Sequence, residues 1–355
     1  MGRLEPPLCD HQVRALHHDR QRPDAGWHDL PALRHAQSHP SPSTSSRSAR
    51  STSPSEQVLL PAAFTLAFMI KVPMVLLHTW LPDAHTEVDR WLTDLAGVLL
   101  KMGCYAFLRF AADTLHAAEQ AFPVIMTLAV IGIVYGAMVA LLQPDMKRLV
   151  AYSSVSHMGF VMLGLYAFNN IGVTGSVLQM INHGLSTGAL FMLVGYIYHR
   201  RHTRMIEEYG GLWSIMPVFA ALFLVVTMSS IGLPGTNGFV GEFLILLGAF
   251  RAHPLAGGIG VLGVLLGAAY MLTMYKHVFF GPVKHAVNKT LEDLSAREVL
   301  ALAPIVLLVF WIGLYPKPFL DRIEPTTQKL LGRLAAAGAT HWMAETPPPV
   351  VASRR

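Results

Sequence analysis

The sequence predicts an all-α fold, a polytopic transmembrane helix bundle. Three observations carry the prediction. The 355 residues are 52% hydrophobic and only 14% charged, where a soluble domain carries about 25% charged residues. The apolar residues fall in repeated runs, most of them near the roughly 20 residues that cross a hydrocarbon core. The loops between the runs alternate between basic ones and ones holding only Arg109 and Arg251 near helix ends.

The runs cover 58–78, 92–112, 122–142, 149–166, 173–198, 216–250, 255–280 and 299–315, about eight crossings. The first is interrupted at Lys71-Val72-Pro73, where proline removes a backbone donor and clashes with the preceding turn. The second holds Lys101 near its centre, about 15 Å from either end at 1.5 Å per residue. A lysine stem cannot snorkel that far. The third contains Gly132-xxx-Gly136 and the seventh Gly263-xxx-Gly267, spacings that let helices approach closely. The fourth and fifth carry His157 and His183. The sixth is too long for one crossing and breaks at Leu233-Pro234-Gly235, one or two turns before Glu242.

Alternate loops carry Arg90; Lys147 and Arg148; Arg200, Arg201 and Arg204; then Lys284, Lys289 and Arg297. The positive-inside rule makes these loops cytoplasmic, so both ends of the hydrophobic body face outward. Flanking that body are segments of different composition. Residues 1–56 include HPSPSTSSRSARSTSPSE and lack apolar periodicity. They read as a disordered or non-native N-terminal segment and not as a signal peptide. The expected division is therefore 1–56, a transmembrane domain over 57–325, and a C-terminal tail over 326–355 ending in ETPPPVVASRR.

Composition also excludes classes. Two cysteines, Cys9 and Cys104, with no CxxC argue against a disulfide framework, a structural zinc site or a cysteine-ligated iron–sulfur cluster. No GxGxxG follows a strand and no GxxxxGK[ST] is present, so nucleotide binding is unsupported. Neither a metal site, a cofactor site nor a nucleic-acid partner is expected on this chain.

What remains is a set of five ionisable groups inside five apolar runs: Lys71, Lys101, His157, His183 and Glu242. Each costs roughly 2.5–3.5 kcal/mol at the centre of a spanning helix. Each alone has a structural explanation. A histidine can bond across a helix interface, Glu242 can cap amides freed by the nearby break, and Lys71 can neutralise an acid on another helix. Five together point to a proton or ion path. Desolvation makes a buried ammonium easier to deprotonate. Interrupted helices mark ion sites in transporters, and the breaks at Pro73 and at Pro234-Gly235 adjoin Lys71 and Glu242. Ser153, Ser154, Ser156, Gln179, Asn182 and Ser186 supply polar groups able to hold water between the charges.

The stretches HTWLPDAH, LAGVLLKMG, MKRLVAYSSVSHMGFVMLG, LQMINHGLSTGALFMLVGYIYHRRHTR and SSIGLPGTNGFVGEFLILLGAF together resemble the proton-translocating antiporter-like subunits of respiratory complex I. The resemblance runs over about 57–325 and is strongest to the M-type subunit, the counterpart of mitochondrial subunit 4. Glu242 favours that type, because sister subunits more often carry lysine there. The resemblance implies that Lys71 is the lysine of the first broken helix and Lys101 the central connecting lysine. It makes His157 and His183 members of a hydrophilic axis, and Glu242 the terminal acid. It implies proton relay driven by redox chemistry elsewhere, with NADH, FMN, iron–sulfur clusters and quinone in partner subunits. The implied partners are L-type and N-type sister subunits and the lipid bilayer of a bacterial inner membrane.

Two departures accompany it. The family has about fourteen spans in two inverted repeats, so about six leading spans, with the glutamate that pairs with Lys71, are expected to be missing. The antiporter-like inverted-repeat fold would then be incomplete. After PDAH this chain also reads TEVDRWLTD in place of an Ala-Pro-Thr-x-x-Ser stretch, as a pair of compensating frameshifts would produce. The alternatives are an Mrp-type sodium/proton antiporter subunit, a membrane-bound hydrogenase subunit, or a truncated chain without transport.

Overall fold

The computed structural model describes residues 54–87, 90–110 and 115–336. The expectation of a disordered or non-native segment falls almost wholly on residues outside that set. The chain divides into two units, Met1–Phe64 and Thr65–Arg355, and the arrangement below is that of the second.

Among the described residues the helices are α1 (Pro54–Lys71), α2 (Trp80–Glu87), α3 (Arg90–Phe110), α4 (Leu115–Leu141), α5 (Met146–Leu165), α6 (Asn170–Arg201), α7 (Pro217–Ile231), α8 (Asn237–Ala252), α9 (Pro254–Phe279), α10 (Ala296–Leu314) and α11 (Lys317–Ala336). No strand is found among the described residues. The all-α expectation holds. Four helices are long and apolar enough to cross a membrane by length and composition: α4 from Phe122, α6, α9 and α10. The other expected crossings fall short for physical reasons. α7 and α8 are the two halves of the broken run 216–250, each too short alone. α3 holds Arg90, Asp94, Lys101 and Arg109, and α5 is diluted by serines, a histidine and its basic first turn.

Both predicted breaks are present. α1 stops at Lys71, and the carbonyl of Ile70 freed there accepts the Trp80 indole N–H at 2.9 Å. α7 stops at Gly232, whose φ of +79° is the left-handed conformation that only glycine adopts cheaply. The chain re-enters helix at Asn237, with Pro234 exposed on the bend. The basic loops gather at one end of the bundle, as the alternation requires. Arg204 pairs with Asp145 at 3.3 Å and donates to the Thr86 carbonyl at 2.7 Å. Arg200 grips Glu298 with both amino groups, at 2.8 and 2.6 Å.

One boundary is corrected. α11 runs through position 326, so the first part of the expected tail is helix packed into the bundle. Leu331 and Leu334 are buried in its core, and Thr327 bonds Thr174 at 3.0 Å. The polar residues of α11 hide this from hydropathy. The rest of the expected tail, 337–355, lies outside the described residues.

Of the glycine pairs, one member of each makes the close approach. A Cβ on Gly136 would lie 2.8 Å from the Ser156 backbone nitrogen, so α4 and α5 touch backbone to backbone there. Gly263 sits against Ile133 and Phe160, whereas Gly132 and Gly267 have room.

The interior has three storeys. An apolar one at the basic end joins Met146–Ala151, Ala189–Ile197, Phe219–Val226 and Tyr270–Phe279. A second at the opposite end joins Val155–Tyr166, Ile125–Ile133, Ile245 and Ala249. Between them lie buried Ser153, Ser154, Ser156, His157, Gln179, Asn182, His183, Ser186, Ser229, Asn237 and Glu242. Two greasy layers thus seal a polar one at mid-depth.

Candidate functional site

The polar storey is built by one stretch from each of α3, α5, α6, α7 and α8. α3 brings Lys101, whose stem runs back along its own helix, as helical side chains do. Its Nζ donates to the Gly97 carbonyl one turn earlier. The same nitrogen lies 2.6 Å from His183 Nδ1 on α6, a contact between residues 82 positions apart. Gly184 faces the lysine stem, so the next residue of α6 adds no bulk at the crossing.

From His183 the row continues to His157 on α5. The two rings meet edge to face, centroids 5.4 Å apart. His157 Nδ1 is 3.3 Å from Glu242 Oε1 on α8, within ion-pair distance. His157, His183 and Glu242 are 7%, 3% and 5% exposed, so bulk water does not screen the row. A small cavity lined by His157, Gln179, Asn182, His183, Ser186, Thr187, Ser229, Ser230 and Gly238 has room for about one water molecule. Both ring nitrogens of His157 and Nε2 of His183 are buried without a hydrogen-bond partner among the described residues, so the His157–Glu242 approach is at ion-pair distance without hydrogen-bond geometry. Ser186 and Ser229 hydroxyls, 2.6 Å apart, offer such a water polar neighbours.

The helix break shapes the acid end of the row. A Cβ on Gly232 would sit 2.5 Å from Glu242 Oε2, so the carboxylate occupies space that only a glycine leaves open. Asn237, the first residue of α8, accepts from Ser229 Oγ at 2.5 Å and ties the two half-helices across the bend.

Four of the five sequence-selected residues, Lys101, His157, His183 and Glu242, therefore form one row. Lys71 is not part of it. Its side chain is exposed at the end of α1 and makes no hydrogen bond or ion pair among the described residues. Of the break residues, Pro234 and Gly235 lie on the outer bend, and Gly232 is the one that meets the acid. The sequence reasoning passed over Gly232, and also His85. That histidine is 1% exposed, packs at a tilt against Phe191 with ring centroids 5.1 Å apart, and lies in the field of Lys147 and Lys101. Its signal was the second histidine of HTWLPDAH, inside a motif otherwise read as a signature. No group of three or more His, Cys, Asp or Glu able to hold a metal occurs among the described residues.

A helix bundle with two mid-depth breaks and a sealed row of titratable side chains defines a polytopic membrane protein of the antiporter-like class. The chain belongs to the family described as NADH:quinone oxidoreductase/Mrp antiporter, TM, which it matches over residues 26–287. That match begins inside the segment 1–56 set apart by composition. It is 44% identical over 278 residues to the NADH-quinone oxidoreductase subunit M of Rickettsia bellii, covering 78% of this chain and 56% of the relative. It superposes on a chain of respiratory complex I from Thermus thermophilus with TM-score 0.75 and 34% identity, over 82% of this chain and 62% of that one. A chain of the Mrp complex from Dietzia sp. shares the fold, with TM-score 0.71 and 21% identity, over 79% of this chain and 61% of that chain. This chain spans about half the length of the curated relatives it matches.

Proposed function

We propose that this chain is a membrane-arm subunit of a proton-pumping NADH:quinone oxidoreductase and relays protons along Lys101, His183, His157 and Glu242. One observation carries the reading: titratable groups from four helices form one row, half-buried Lys101 meeting buried His183, His157 and Glu242, with apolar clusters on either side. Lys101 gives up a proton to His183 Nδ1 across their 2.6 Å contact. A water in the cavity between the imidazoles passes it to His157, which faces Glu242 Oε1. His85, within electrostatic reach of both Lys147 and Lys101, supplies the way in from the basic end. Buried charge is costly, so neighbouring cationic forms along Lys101, His183 and His157 disfavour one another.

The chain carries no electron carrier in this reading. NADH, FMN, iron–sulfur clusters and quinone belong to other subunits, and its neighbours are L-type and N-type sisters in a bacterial inner membrane. Lys71 is the input lysine of an earlier half-channel. The organisation over 57–325 as one translocation domain is part of the same proposal, extended to Ala336 by α11.

The test is Lys101→Ala in the assembled complex, in inverted vesicles, with NADH-driven acidification and NADH oxidation read together. The reading expects acidification to fall by at least tenfold with the complex still assembled. Unchanged acidification would remove Lys101 from the path. The family also contains Mrp antiporter chains. Sodium efflux that is independent of NADH would favour that alternative.

A further inference from the structure

Glu242 has a second neighbour besides His157, and its orientation can be deduced. The backbone carbonyl of Asn237 accepts from Asn182 Nδ2 at 2.7 Å. A carbonyl can only accept, so Asn182 must turn its nitrogen to α8. That nitrogen also lies 3.4 Å from Gln179 Oε1. Gln179 therefore faces Asn182 with its oxygen and Glu242 with its nitrogen, and Nε2 donates to Glu242 Oε1 at 3.2 Å. Gln179, Asn182 and Asn237 are all buried, so no bulk water competes. A Cβ on Gly241 would collide with Gln179 Oε1, and the glycine leaves the amide its place.

We propose that Gln179 is a positioning residue for the proton-accepting end of the row: its amide, oriented by Asn182 and the Asn237 carbonyl, holds Glu242 Oε1 as an acceptor facing His157. The proposal rests on the relay reading above and adds to it. A proton leaving His157 Nδ1 meets an oxygen already occupied by a donor N–H. A carboxylate oxygen has two lone pairs, so Oε1 accepts from Gln179 with one and faces His157 with the other. The locked amide thus fixes which carboxylate oxygen faces His157 and where its free lone pair points. A merely structural amide would bridge α6 and α8 without affecting the acid.

The experiment is the pH profile of NADH-driven proton translocation by the assembled complex, in Gln179→Leu, Asn182→Ala and Glu242→Gln variants. Loss of a donor to a carboxylate disfavours the ionised form. The pH profile of translocation is then displaced in Gln179→Leu. Asn182→Ala, which frees the Gln179 amide to turn, moves it in the same direction by less. A Gln179→Leu complex with the native profile overturns the proposal. Should that variant fail to assemble, a native profile in Asn182→Ala overturns it instead. Glu242→Gln separates the two levels. Abolished translocation there with a native Gln179→Leu profile removes the positioning role alone, and normal translocation in Glu242→Gln removes the relay reading as well.

Discussion

Gly232 and Gly235 allow a paired test of how the helix break serves the acid. Both residues are left-handed, at φ +79° and +95°. An alanine at either costs roughly 1–2 kcal/mol of backbone strain. Their surroundings differ. A Cβ at Gly235 meets only Leu314 Cδ2 at 3.8 Å, an ordinary contact, whereas at Gly232 it lies 2.5 Å from Glu242 Oε2. To regain van der Waals distance the carboxylate must retreat by about 1 Å, away from the bend, and a displacement of about that size can lower a positioned reaction's rate ~10²-fold. Gly232→Ala should therefore leave an assembled complex whose NADH-driven vesicle acidification is lost almost entirely. Gly235→Ala, with the same strain and no contact to the acid, should lose stability but keep most of its acidification per assembled complex. Assembly is read by native gel and acidification by dye quench. Equal acidification in the two variants would refute the argument that the break makes room for Glu242.

Other expectations follow from the same contacts. Arg200→Ala removes a two-pronged, largely buried grip on Glu298 and the bonds to the Glu292 and Asp293 carbonyls. It should lower the thermal stability of the detergent-solubilised complex by roughly 1–3 kcal/mol, and an unchanged melting curve would count against a structural role. Asp145→Ala removes the cap that accepts from the Lys147 and Arg148 amides, with a loss of about 1 kcal/mol that Asp145→Asn should largely restore. Gly136→Leu forces α4 off the α5 backbone and should prevent assembly, while Gly132→Ala, whose nearest neighbour is Val75 Cγ2 at 3.4 Å, should be tolerated. A cysteine introduced at Lys284 should react with an impermeant maleimide from the cytoplasmic face only, and labelling from outside would reverse the assigned orientation.

Much of this architecture is legible in the sequence because it depends on position along a helix. Hydropathy marks where apolar runs begin and end, and proline and glycine mark the two breaks. The charged loops sort to one end because alternation follows from antiparallel neighbours. Hydropathy failed at α11, where Thr327, Leu331 and Leu334 are buried on a helix that is polar elsewhere.

The site divides along the same line. By itself the sequence placed Lys101, His157, His183 and Glu242 well inside apolar runs, away from either end. Only the tertiary structure decided azimuth. A run that is apolar all round carries no stripe to show which face turns inward, so nothing in the sequence tells that Lys101 meets His183 while Lys71 faces away. Rotation about each helix axis is set by packing. Gly136 lets α5 close on α4, and Gly232 opens space for the carboxylate. Those contacts join residues far apart in the chain, and they exist only once the helices are packed.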